Sequence, residues 1–181
     1  AVVEAVRPGN ARNLVDVGGA SGTYTEAFLR ACPEMRATIF DLPPVIEMAR
    51  KRLTPTGLLP RITLVAGDFL VDAIPGGHDL ALLSAIIHQN SPEQNLALYR
   101  NCFAALVPGG RIVIRDHVLD ETRTRPASGA LFAVNMLTAT DGGDCYTLDE
   151  IRQGLEAAGF VRVKQIADDE QMNGLVEAFR P

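Results

Sequence analysis

The 181-residue sequence has no apolar run close to the roughly 20 residues that a membrane-spanning helix needs. It has no excess of basic residues: 17 Lys and Arg stand against 22 Asp and Glu, giving a net charge of −5, which argues against a nucleic-acid partner. Its three cysteines, Cys32, Cys102 and Cys145, lack the spacing of a disulfide framework or a zinc site. These absences indicate a cytoplasmic protein with reduced thiols, no bound metal, and a small-molecule or protein partner.

The composition, with 47% hydrophobic and 22% charged residues, is typical of a globular domain. The length suits one domain that buries a core without disulfides. The chain opens on Ala1 without an initiator Met or a signal segment. We therefore expect residues 1–181 to be one domain of a longer chain.

Short aliphatic and β-branched runs alternate with longer amphipathic stretches, which predicts β-α units around a mostly parallel sheet with helices on both faces. The predicted strands are residues 13–17, 38–40, 62–65, 80–85, 111–115, 162–166 and 175–179. The predicted helices are residues 23–31, 45–53, 92–106, 130–138 and 148–158. Capping boxes at Ser91 and Thr147 begin two of these helices, and Gly159 follows the last one. The predicted fold class is α/β, a Rossmann-like seven-stranded sheet.

Candidate ligand-binding residues follow the first three strands, where an open parallel sheet binds its ligands. Glycines at 18, 19 and 22 follow the first strand and let a ligand approach the backbone. Asp41 follows the second strand and could accept hydrogen bonds from ribose hydroxyls, while Asp68 and Phe69 follow the third and could bind an adenine amine and ring. Each feature alone is also typical of an ordinary turn or helix start. Their occurrence in order predicts a nucleoside site.

Two kinds of nucleoside cofactor remain open at this point. A dinucleotide-binding oxidoreductase has a similar glycine loop, which faces a pyrophosphate. Here an acid, Asp16, lies in the strand just before the loop, which fits a looser turn that holds an amino-acid tail. Neither lysine, Lys51 or Lys164, stands four residues after a tyrosine, as a short-chain dehydrogenase would require.

Several segments carry a more specific resemblance. They are residues 14–22 (Leu-Val-Asp-Val-Gly-Gly-Ala-Ser-Gly), 40–43 (Phe-Asp-Leu-Pro), 67–69 (Gly-Asp-Phe), His88 after an apolar strand, and 108–114 (Pro-Gly-Gly-Arg-Ile-Val-Ile). From about Asn13 to Phe160 the chain resembles the plant caffeate and hydroxyindole O-methyltransferase family, whose bacterial members act on polyketides and other secondary metabolites. High alanine content and the dominance of Arg over Lys favour a bacterial source.

The resemblance implies a class I S-adenosylmethionine (SAM) methyltransferase fold, SAM as the cofactor, and methyl transfer to a hydroxyl of a small molecule. It implies His88 as general base, oriented by Asp116, and Asn135 and Met136 in the acceptor pocket. The positions that it assigns to the cofactor are Gly18, Gly19, Asp41, Leu42, Asp68, Phe69 and Ser84, the last replacing a lysine that is frequent in the family. Family members are typically homodimers through an N-terminal helical domain, which we expect to be absent from this chain.

Two departures from the family pattern concern the support of the histidine. His88-Gln89-Asn90 stands where the family usually has His-Asp-Trp. Residues 142–147 correspond to Gly-Gly-Lys-Glu-Arg-Thr, so that Cys145 takes the place of a second orienting acid. His117 follows Asp116, but adjacent strand residues point to opposite faces, so it is a poor candidate to replace the missing acid.

Three hypotheses follow from the sequence. The first is a SAM-dependent O-methyltransferase of an aromatic or polyketide-like small molecule. The second is a cofactor-binding homologue with lost or altered catalysis, suggested by the changes at Ser84, Gln89 and Cys145. The third is a nicotinamide-dependent oxidoreductase.

Overall fold

The computed structural model describes residues 2–168, 172 and 174–181. The strands are β1 (Asn13–Val17), β2 (Arg36–Asp41), β3 (Ile62–Ala66), β4 (His78–Ser84), β5 (Leu106–Asp116), β6 (Val118–Leu119), β7 (Tyr146–Thr147), β8 (Val161–Ala167) and β9 (Gly174–Phe179). The helices are α1 (Val2–Val6), α2 (Thr23–Ala31), α3 (Pro43–Leu53), α4 (Pro92–Ala105), α5 (Ala127–Ala139) and α6 (Leu148–Ala157). Short 3-10 turns lie at Thr54–Thr56, Leu59–Arg61 and Ile87–Gln89.

Seven strands form one sheet in the order β3-β2-β1-β4-β5-β9-β8, and β6 pairs with β7 separately. The first five of these strands are parallel, while β9 is antiparallel to both β5 and β8. The chain moves outward from β1 to β3 and then returns to place β4 on the other side of β1. This reversal of strand order creates a crevice at the carboxyl ends of β1 and β4, where ligands of such sheets bind.

Both faces of the sheet are covered, as the sequence predicted. Because side chains alternate along a strand, Leu82 of β4 packs in a cluster with Phe28 of α2. Its neighbour Leu83 packs in a second cluster with Leu98 of α4 and Leu155 of α6. Continuous apolar runs in the central strands are the consequence of this two-sided burial.

The predicted helix signals are confirmed. Ser91 and Thr147 each form a complete capping box, in which the side chain accepts a backbone N–H and the third helical residue bonds back. Gly159 follows α6 with φ +102°, a left-handed conformation that favours glycine.

The β-α alternation is interrupted in one described region, where the list of predicted helices also has none. Residues 67–77, all of them described, form turns and bends without a helix between β3 and β4. The prediction also missed α1 and the β6–β7 pair, because two-residue strands are too short to show an alternating pattern. Helix α5 begins at Ala127, three residues earlier than predicted, directly after Pro126.

No helix in the described part of the chain is long and apolar enough to cross a membrane. The three cysteines are unpaired, and two of them, Cys102 and Cys145, are buried. Burial raises the pKa of each of these two thiols to about 12, while Cys32 is partly exposed. Both buried thiols are therefore protonated and chemically inert at neutral pH.

Asp16 is a buried acid in the middle of the sheet, only 1% exposed. Its side chain accepts a hydrogen bond from Thr25 Oγ1 at 2.6 Å. Burial raises the pKa of Asp16 from 3.8 to about 6; the Thr25 hydrogen bonds oppose this rise, and the charge of Asp41 adds to it. The folded protein therefore retains this proton at a pH where the unfolded chain has lost it.

We expect the free energy of unfolding of the natural protein to fall, relative to that of Asp16→Asn, as the pH rises from about 4 to 6. The raised pKa means that protonation of Asp16 favours the folded state, so its contribution declines through this window, by on the order of 3 kcal/mol. Urea unfolding at several pH values measures the difference. Asp141→Asn, at an exposed turn, is the matched control. A difference in the free energy of unfolding between the natural protein and Asp16→Asn that does not change with pH would contradict the prediction.

Candidate active site

The glycine loop after β1 brings three strand ends together. Gly18 has φ +66°, and its N–H donates to the carbonyl of Phe40 at the end of β2, at 2.8 Å. A Cβ on Gly18 would lie 2.3 Å from Ile86 Cδ1 and 3.6 Å from Phe69 Cε1. The loop therefore packs against the segment that leads to His88, and its left-handed conformation at Gly18 favours glycine.

Asp41 fixes the glycine loop from the end of β2. One carboxylate oxygen accepts the N–H of Ala20 at 2.9 Å, and the other accepts the N–H of Leu42 at 2.7 Å. Each carboxylate oxygen has two acceptor positions, so Asp41 can still accept hydrogen bonds from a ligand. Leu42 is 48% exposed beside it, an apolar side chain available to the flat face of a base.

Asp68 and Phe69 lie in a turn directly after β3. One oxygen of Asp68 accepts the N–H of Leu70 at 2.9 Å, which shapes the turn. The amide of Asn101 on α4 donates to the carbonyl of Phe69 at 3.1 Å and holds the turn against the helix. The Phe69 ring lies beside Gly18, so the predicted adenine-side residues and the glycine loop are neighbours.

A cavity of about 180 Å³ continues from the glycine loop. Gly18, Gly19 and Ser84 line it, as do Tyr24 and Arg115, two residues that the sequence analysis did not single out. The signal for Arg115 was a charged residue at the end of an apolar strand, next to Asp116. Tyr24 gave no signal, because its place depends on how α2 packs.

His88 and Asp116 form the polar pair at this edge of the sheet. His88 lies on the 3-10 turn after β4, and its Nδ1 is 2.9 and 3.0 Å from the two carboxylate oxygens of Asp116. The Asp116 side chain is 1% exposed, and that of His88 is 13% exposed. Because Nδ1–H donates to the carboxylate, the neutral ring has its lone pair on Nε2, where it can accept a proton.

Buried amides hold the turn that carries His88. Asn95 of α4 donates to the carbonyl of Ile87 at 2.9 Å, and Asn90 donates to the Asn95 side-chain oxygen at 3.1 Å. The hydroxyl of Tyr146 donates to the carbonyl of Asn90. Asn90 thus occupies a buried, hydrogen-bonded position at the point where the family pattern has a large ring.

Phe132 of α5 lies between two histidines. Its ring is 4.9 Å from that of His88, edge to face, and 5.2 Å from that of His117. His117 therefore packs against the same aromatic ring as His88. Strand β5 ends at Asp116, so the alternation of side chains does not extend to the next residue.

The remaining predicted residues lie on α5 and on the segment after it. Asn135 is exposed and Met136 is buried, about one turn beyond Phe132. Cys145 is buried; burial, with the nearby charge of Asp116 as the next cause, raises the pKa of its thiol to about 12. Among the described residues, Asp116 is the one carboxylate hydrogen-bonded to His88.

The fold and these loops define an α/β protein of the class in which ligands bind at the carboxyl edge of a parallel sheet. A sequence model of the O-methyltransferase domain family matches residues 1–161. The chain belongs to this family, which confirms the resemblance seen in the sequence. Family membership also favours SAM over a nicotinamide dinucleotide, the two kinds of cofactor that the glycine loop left open.

Three known proteins illustrate the similarity. The chain is 36% identical over 155 residues to the 3-hydroxy-5-methyl-1-naphthoate 3-O-methyltransferase of Streptomyces sahachiroi, covering 86% of the chain and 45% of that relative. A family 2 O-methyltransferase from Planctomyces limnophilus, solved with apigenin, matches with a TM-score of 0.87 and 33% identity, over 97% of the chain and 53% of that protein. Human N-acetylserotonin methyltransferase, solved with SAM, matches with a TM-score of 0.88 and 25% identity, over 99% of the chain and 50% of that protein. The chain thus spans about half the length of these relatives.

The segment after α5 approaches the His88 turn so closely that it requires glycine. A Cβ on Gly143 would lie 2.3 Å from the carbonyl oxygen of His88 and 3.0 Å from the carbonyl carbon of Gln89. Both are backbone atoms and cannot rotate away. The backbone of this segment therefore supports the position of His88 from outside.

We expect Gly143→Ala to lower the free energy of unfolding by about 1–3 kcal/mol, because the added methyl group must displace the His88 turn. Gly76→Ala is the matched control, since its Cβ would meet nothing within 4 Å. Chemical denaturation measures both changes. Equal stability of the two variants would show that the segment adjusts without moving His88.

Proposed function

We propose that the protein is a SAM-dependent O-methyltransferase that transfers a methyl group to a hydroxyl of an aromatic or polyketide-like small molecule. The observation that carries the proposal is the hydrogen-bonded His88–Asp116 pair beside the glycine loop, at the carboxyl edge of the sheet. The naphthoate and apigenin named for two relatives support an aromatic acceptor. The SAM bound to a third relative supports SAM as the cofactor of this protein.

The residues at the strand ends fit this cofactor. Asp41 has acceptor positions left for two ribose hydroxyls, and Leu42 and Phe69 offer apolar surface to the adenine. Asp68 has an acceptor position for the exocyclic amine. The cavity beyond Gly18 and Gly19 has room for the amino-acid portion.

The chemistry needs a base and correct alignment. When bound, SAM supplies a methyl group activated by a positively charged sulfur. With the sulfur leaving as a neutral thioether, His88 Nε2 would take the proton of the acceptor hydroxyl that receives the methyl group. Asp116 holds the tautomer that leaves Nε2 unprotonated, and its charge stabilises the imidazolium that results.

Helix α5 supplies the proposed acceptor wall, through Phe132 against His88 and through Asn135 and Met136 nearby. A cytoplasmic location and homodimerisation of the whole protein stay predictions, and sedimentation analysis of the full-length protein tests the second.

Calorimetry with S-adenosylhomocysteine, the demethylated cofactor, tests the cofactor site. We expect the natural protein to bind it and not NAD, and Asp41→Asn to weaken binding by about 10- to 100-fold through loss of charged acceptors for the ribose. Asp141→Asn should bind like the natural protein, since this residue is exposed and lies in another turn. Binding of NAD in place of S-adenosylhomocysteine would overturn the assignment.

Kinetics of His88→Ala and Asp116→Asn test the base. With phenolic acceptors we expect kcat of His88→Ala to fall by about 10²- to 10⁴-fold, while the Kd of S-adenosylhomocysteine stays unchanged, because His88 acts on the acceptor. Asp116→Asn should lower kcat by roughly 10²-fold or more, since an amide favours the wrong tautomer. Unchanged turnover by His88→Ala would remove it from the mechanism.

The same assay separates the proposal from a homologue without methyl transfer. Tight binding of S-adenosylhomocysteine together with no methylated product from any acceptor would favour that second function.

A further inference from the structure

The cavity beyond the glycine loop is lined by a positively charged side chain to which the proposed function assigns no role. Of the residues that line it, all of them described, Arg115 has the one positively charged side chain. We propose that Arg115 binds the carboxylate of the amino-acid portion of the cofactor and thereby selects ligands that carry this group. The inference rests on the proposed function, since it concerns the same bound molecule.

The position of Arg115 is set by the sheet. Strands β4 and β5 pair so that Arg115 lies opposite Ser84, and the carbonyl of Arg115 accepts the N–H of Ala85 at 2.8 Å. These backbone contacts place the side chain at the strand end, beside the glycine loop, rather than on a loop of its own. The residue is therefore presented to the cavity by two central strands of the fold.

The guanidinium is also oriented by its neighbours. Its Cζ lies 5.1 Å from the centre of the Tyr24 ring, a cation–π contact, and one of its terminal nitrogens lies 3.4 Å from Ser84 Oγ. Because both Tyr24 and Ser84 line the cavity, these contacts keep the charge at its wall. A fork of N–H groups held in this way matches the two oxygens of a carboxylate.

Two other features of the cavity act on an anionic ligand in opposite directions. Helix α2 begins at Thr23, so its first N–H groups give the wall a weak positive potential. Asp16 lies behind the glycines and would repel a second carboxylate. The positive charge of Arg115 offsets this repulsion. Ser84, which lies opposite Arg115, is uncharged and cannot offset it.

The size of the cavity limits the ligand. About 180 Å³ suits a short amino-acid tail, and the glycine loop connects this space with Asp41 and Phe69 on the nucleoside side. An adenosine thioether without the amino-acid tail would fill the nucleoside side and offer no carboxylate to Arg115. Two ligands that differ only in this tail therefore isolate the contribution of Arg115.

The test compares S-adenosylhomocysteine with 5′-methylthioadenosine, which lacks the amino-acid tail, by calorimetry on the natural protein and on Arg115→Ala. We expect Arg115→Ala to raise the Kd of S-adenosylhomocysteine by about 10- to 100-fold, the effect of losing a charged hydrogen-bond partner. The Kd of 5′-methylthioadenosine should stay the same, which also shows that the variant is folded.

Two further variants sharpen the result. Arg115→Lys keeps the charge but loses the fork of N–H groups, so we expect an intermediate Kd for S-adenosylhomocysteine. This variant also serves as the second test if Arg115→Ala does not fold. Arg162→Ala is the matched control, because Arg162 also stacks on a ring, that of Phe179 at 4.2 Å, but lies outside the cavity. Arg162→Ala should change neither the Kd of S-adenosylhomocysteine nor that of 5′-methylthioadenosine.

Equal binding of S-adenosylhomocysteine by the natural protein and Arg115→Ala would overturn the role of Arg115 and leave the proposed function standing. An equal loss for both ligands would assign Arg115 a structural role and overturn the inference as well. Failure of the natural protein to bind S-adenosylhomocysteine at all would instead contradict the proposed function, and the inference with it.

Discussion

The close approach of Gly18 to Ile86 is the constraint on which the site depends. It forces the loop after β1 against the segment after β4, two residues before His88. The reversal of strand order makes β1 and β4 neighbours, and the left-handed conformation at position 18, with φ +66°, favours the glycine found there. Because the two loops touch, the residues proposed to hold the cofactor and the proposed base share one rigid frame, as alignment of reacting atoms requires.

Asp116 illustrates how the fold maintains a charge in its interior. A buried carboxylate is costly unless it is hydrogen-bonded. Asp116 accepts from the His88 ring and from the N–H of His117, and both donors come from segments that the sheet positions. The Cys145 thiol nearby is neutral and adds no competing charge. The geometry thus assigns to one acid the support that the family pattern divides between two.

The sequence predicted what depends on local chemistry. Glycines and acids at strand ends, capping boxes and apolar strands gave the sheet, its two covered faces and the positions of Asp41 and His88. It could not predict contacts between distant segments. Phe132 reaches His88, and Tyr24 reaches Arg115, only through the packing of α5 and α2. The direction of His117 depended on the residue at which β5 ends, and strand ends are poorly marked in a sequence.

The different environments of the three cysteines make the chain convenient to label. Cys102 and Cys145 are buried and protonated, while Cys32 is partly exposed where α2 ends. Helix α2 begins at the carboxyl edge of the sheet, so Cys32 lies near the opposite edge, far from the glycine loop. A thiol-reactive dye should therefore attach to Cys32 in the folded chain, and would report on the protein without entering the site.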